Sequence, residues 1–133
     1  MKNYFHALVW IDHVEANIHR FDATESEHVV VRSEAHEHHL HHKANTGDSG
    51  HLPVDRAFLG RVAEALARSG AILITGPGSA KTELHSYIRE RLPHLVGRIR
   101  AVEALDHPTD GQLLKHGRTF FRADDRMHAQ TSA

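Results

Sequence analysis

Along the first quarter of the chain, apolar and polar positions alternate in short runs. Residues 4–12 (YFHALVWID) and 15–22 (EANIHRFD) are partly alternating extended segments separated by His13-Val14. Residues 28–33 (HVVVRS) follow a polar turn at 23–27. This pattern predicts three consecutive antiparallel strands. Residues 34–50 (EAHEHHLHHKANTGDSG) then lose all apolar periodicity and end in turn formers, which predicts a loop.

The period changes after Pro53. Phe58, Val62, Ala65 and Leu66 recur at three- and four-residue spacing until Ser69-Gly70, as on one face of a helix. Residues 71–75 (AILIT) form an apolar run without alternation, which marks a strand covered on both faces. The Gly76-Pro77-Gly78 turn leads into a second helix carrying Leu84, Tyr87, Ile88 and Leu92, closed by Pro93. Residues 98–103 (RIRAVE) alternate as a last strand. Thr109 and Gln112 then make a capping box for a helix through Leu113, Leu114 and Phe120 to about Phe121. The predicted order is β-β-β-α-β-α-β-α. A mixed five-stranded sheet with helices on both faces buries these apolar surfaces most economically, giving a three-layer α/β/α, ribonuclease H-like architecture. Trp10 and Phe5 are expected in its core. Residues 1–122 are expected to form a single domain containing the loop at 34–51, with residues 123–133 as a disordered polar tail.

Composition agrees with one globular domain. The chain has 133 residues, 40% hydrophobic and 25% charged, enough apolar surface for one core. The absence of cysteine excludes disulfides, thiolate catalysis and cysteine-based zinc patterns. No apolar run approaches the roughly 20 residues of a membrane span, so a soluble cytoplasmic protein is expected, with no membrane partner. A net charge of −1 gives no basis for bulk DNA binding. Protonating all 15 histidines would carry the formal charge to +14, which makes any affinity for polyanions depend on pH.

Five of those histidines, His36, His38, His39, His41 and His42, crowd the loop. An extended chain puts His36 and His38 on one side and His39 and His41 on the other, whereas a helix pairs His38 with His42. Either conformation offers two imidazoles to one ion, with Glu34, Glu37 or another chain's histidine as a third ligand. This donor set suits zinc, copper or nickel. A solvated, pH-responsive loop is the competing reading, because nothing in the sequence fixes a second shell.

A second candidate is the turn from Gly76 to Thr82 (GPGSAKT). It ends like a phosphate-binding loop, but Ala80 and Thr75 stand where the Walker pattern needs glycine, so nucleotide hydrolysis is not expected. Gly76, Gly78, Ser79 and Lys81, with Lys43 from the loop, form a candidate phosphate or RNA contact. The alternative is a tight strand-to-helix turn with Ser79 as N-cap. Asp12, Asp106 and Asp110 are expected to be turn and cap residues, and Arg89, Arg91, Arg98 and Arg100 a solvated surface rather than an RNA patch.

The element order, with ILITGPGSAKTEL at 72–84 and VEALDHPTDGQ at 102–112, resembles the middle domain of the class 1 peptide-chain release factors of archaea and eukaryotes and of their relative Pelota. The chain is also similar to solitary bacterial "translational machinery" domains. The resemblance implies a ribonuclease H-like fold. In the release factors the loop before the long helix carries a catalytic Gly-Gly-Gln. The corresponding residues 43–51 here (KANTGDSGH) contain neither that tripeptide nor any glutamine, so peptide release is not implied. The family's stop-codon-reading domain and C-terminal partner-binding domain have no counterpart in the sequence. The resulting expectation is a non-catalytic accessory protein that binds the ribosome or RNA. Metal binding at the histidine loop and self-association through an edge strand into a homodimer remain as alternatives.

Overall fold

The computed structural model describes residues 4–34 and 54–127. Five strands form one mixed sheet in the order β3-β2-β1-β4-β5. They are β1 (His6–Ile11), β2 (Glu15–Phe21), β3 (Ser26–Arg32), β4 (Ala71–Gly76) and β5 (Ile99–Ala104). The first three form an antiparallel meander, and β4 and β5 join β1 in parallel. Helices α1 (Arg56–Leu66) and α2 (Ala80–Arg91) cover one face, and α3 (Asp110–Met127) covers the other. The fold is an α/β domain of the ribonuclease H-like type, as the sequence pattern predicts.

Strand composition follows position in the sheet. The neighbouring central strands β1 and β4 are buried on both faces, at every position from Ala7 to Ile11 and from Ala71 to Gly76, which accounts for the apolar run without alternation in β4. The edge strand β3 alternates, with Val29 and Val31 against the α1 side and His28 and Val30 on the other. On the α1–α2 face, Ala7, Val9, Ile11, Ile18, Ile72 and Ile74 pack against Phe58, Val62, Leu66, Leu84 and Ile88. Each of these side chains larger than alanine contributes about 1.5–3 kcal/mol on burial. A smaller cluster of Leu8, Trp10, Phe21, Leu73, Leu113 and Phe121 lies under α3.

Close approaches at Gly117 and Gly76 bear on the sheet. Gly117 faces the sheet from α3, and a Cβ there would lie 2.8 Å from the Phe21 ring. A Cβ on Gly76, at the end of β4, would lie 2.2 Å from the Ile11 carbonyl oxygen. Gly76 is therefore required by packing between β1 and β4, a role independent of any phosphate.

The structure departs from the sequence reading in several places. Strand β3 begins at Ser26, and a 3-10 helix at Pro93–Arg98 intervenes before β5. Helix α3 runs to Met127 rather than ending near Phe121, because polar residues beyond Phe121 find partners on the sheet: Asp124 accepts from Arg100 Nε at 3.0 Å, and Asp125 lies 3.1 Å from His6 Nε2. Phe5 precedes β1 and is 57% exposed, its ring lying against Gly70 instead of in the core. Arg98 and Arg100 are part-buried, Arg98 donating to the Ala67 and Ser69 carbonyls. No helix among the described residues is long and apolar enough to cross a membrane.

Candidate functional site

The face beneath α3 is apolar along β1 and β4 but becomes polar toward β3. The β2–β3 register sets His19 directly opposite His28, and Glu15 opposite Arg32. Directly opposed side chains on one face of an antiparallel pair come within contact range. The two imidazoles stack with centroids 4.2 Å apart and planes 16° apart. His28 Nε2 lies 2.8 Å from Asn17 Oδ1, Asn17 Nδ2 donates to Glu15 Oε2 at 3.1 Å, and Glu15 pairs with Arg32 at 3.5 Å. An oxygen acceptor at that distance places the proton of neutral His28 on Nε2.

Helix α3 brings the third member. Its start is fixed by the expected capping box: Thr109 Oγ1 accepts from Gln112 N at 3.1 Å, and Gln112 Oε1 accepts from Thr109 N at 2.8 Å. Trp10 holds the preceding segment, its Nε1 donating to the Asp106 carbonyl at 2.7 Å and the Leu105 carbonyl at 3.2 Å. Asp110, the first helical residue, thereby reaches over the sheet, with Oδ1 3.3 Å from His19 Nε2 and 3.8 Å from His28 Nε2. His19 is 3% exposed, and its Nε2 has no aligned hydrogen-bond partner although the carboxylate is near. Burial lowers the His19 pKa below the ordinary imidazole value; His28 lowers it further, and Asp110 opposes both. Beside the trio lies an open cavity of about 260 Å³, whose lining includes Trp10, Glu15, Asn17, His107, Thr109 and Asp110.

The sequence-predicted candidates lie elsewhere. His36, His38, His39, His41, His42 and Lys43 fall outside the described residues. Gly76, Gly78, Ser79 and Lys81 do form the turn from β4 into α2. Ser79 occupies the N-cap position but makes no side-chain cap; its Oγ donates to Glu83 Oε2 at 3.1 Å, and Glu83 Oε1 accepts from Val54 N at 3.0 Å. Lys81 Nζ donates to the Gly78 carbonyl. A carboxylate therefore shares this turn with the lysine. Asp110, expected only as a cap residue, is the residue whose partners the sequence reading missed.

No protein-family model matches the chain, and no curated protein matches its sequence. Solved structures do match its fold. Pelota from Archaeoglobus fulgidus superimposes with a TM-score of 0.59 at 16% identity, over 83% of this chain and 29% of that one. Pelota from Thermoplasma acidophilum gives 0.58 at 19% identity, over 90% and 34%. The archaeal translation termination factor aRF1 gives 0.54 at 16% identity, over 84% and 32%. The chain thus spans about a third of the length of these structures, and the likeness is one of fold.

Proposed function

We propose that this chain is a non-catalytic, translation-associated accessory protein that binds the ribosome or its RNA, built on a counterpart of the middle domain of the release factor and Pelota family. The observation carrying this reading is the superposition of most of the chain on Pelota and on aRF1, an archaeal translation termination factor. Residues 43–51 lack the Gly-Gly-Gln that peptide release would need, so binding rather than hydrolysis is the retained property. The proposed contacts are Lys43 and the exposed turn at Gly78 and Ser79 with Lys81, where a cation stands at the positive end of α2. Glu83 beside Ser79 limits how much phosphate this turn attracts, which favours few and local contacts. The loop histidines strengthen them as they protonate.

Sucrose-gradient fractionation of lysate at low salt tests the proposal. The protein is expected to co-sediment with ribosomal particles, more strongly at about pH 6 than at about pH 7.5, and the Lys43→Glu, Lys81→Glu double variant to return to the top fractions. Wild-type protein confined to the top fractions at both pH values would refute it.

A further inference from the structure

An imidazole at position 19 is unusual for its surroundings. Its strand neighbours on the same sheet face are Phe21 and Asn17, and α3 closes over it, so the ring is withdrawn from water at a cost that a hydrogen bond ordinarily offsets. That bond is at best imperfect: Nε2 is buried, and its one near acceptor, Asp110 Oδ1 at 3.3 Å, is poorly aligned to accept from it. His28 stacks on the same ring and presents its Nε2 to the same carboxylate. As a first-turn acid Asp110 complements the α3 dipole, which explains an aspartate at this position but not why the buried His19 Nε2 is left without an aligned partner.

We propose that His19, His28 and Asp110 bind one divalent ion of the zinc class. Two imidazole nitrogens and one carboxylate oxygen are the donors such ions prefer, and three protein ligands leave a fourth position open to water. The three donor atoms all lie within 4.8 Å of one another. Ligands about 2.0–2.1 Å from a tetrahedral ion are roughly 3.3 Å apart, so the set needs only a modest closure. Asp110, with 61% of its side chain exposed, and His28, at the sheet edge, have room to rotate, whereas buried His19 is the fixed point. Ligation through Nε2 takes the His28 tautomer whose proton sits on Nδ1, which frees Asn17 Oδ1 to accept a hydrogen bond from water at the fourth position. Asn17 and Asp110 also line the neighbouring cavity, so that water has space to reside there. The ion would fasten the first turn of α3 to strands β2 and β3.

The site uses none of the loop histidines and does not depend on the ribosome reading. Its test is calorimetric titration with zinc chloride at about pH 7.5, on full-length untagged protein in which His36, His38, His39, His41 and His42 are alanine. One ion per chain is expected, with zinc raising the melting temperature by mass action. His28→Ala and Asp110→Asn, both at exposed positions, should each keep the circular-dichroism spectrum of the fold, weaken zinc binding by more than about tenfold, and abolish the thermal shift. Absence of stoichiometric binding in the loop-substituted protein, or binding unchanged in both variants, would overturn the proposal.

Discussion

His19 and His28 face each other across the β2–β3 ladder as a stacked pair, with Asp110 of α3 in reach of both. The lower member of the pair in exposure, His19, has its pKa depressed chiefly by burial and further by His28. Between that folded value and the unfolded value near 6.5, the unfolded chain binds more protons. For chelator-treated protein, stability conferred by His19 is therefore present above about pH 6.5 and declines as pH falls toward the folded pKa. Urea midpoints at about pH 7.5 and pH 5.5 should fall more for the wild type than for His19→Gln. Equal falls would show that His19 does not carry this dependence.

Gly117 and Gly78 should respond oppositely to alanine. At Gly117 the added methyl meets the buried Phe21 ring at 2.8 Å, and the packing cost of about 1–3 kcal/mol exceeds the helix-propensity gain of about 1 kcal/mol. Gly78→Ala meets nothing within 4 Å and removes only unfolded-state freedom, so it should be neutral or stabilising by up to about 1 kcal/mol. Urea unfolding followed by circular dichroism distinguishes the two.

Trp10→Phe removes the donor that holds the Leu105 and Asp106 carbonyls. The expected cost is about 1–3 kcal/mol. Its location is more diagnostic than its size: amide hydrogen exchange should accelerate between Leu105 and the start of α3 while α1 is unchanged. Uniform acceleration would mean that the indole serves only as core.

Regular elements were legible because burial imposes periodicity. Strand β4 showed as an apolar run, α1 as three- and four-residue spacing, and the Thr109–Gln112 box as a sequence signature whose two bonds both form. The end of α3 was hidden because Asp124 and Asp125 look like solvent residues until Arg100 and His6 are placed opposite them. Both members of the histidine pair could have been found. Asp22 closes the β2–β3 turn by accepting from Thr24 N and Glu25 N, and its own N–H bonds the Glu25 carbonyl, so residues equally far outside that pair become partners. His19 and His28 are each three residues outside it. Asp110 is distant in sequence, and only the packing of α3 on the sheet brings it there.

The proposed attachment to the translation machinery through a few local contacts is tested by titrating purified protein with purified ribosomal particles of its own cells across a salt series. Saturable binding is predicted, with log affinity falling against log salt at a slope of about −1 to −2, the release expected for roughly two neutralised phosphates. No saturable binding at the lowest salt, at either about pH 6 or about pH 7.5, would contradict such attachment.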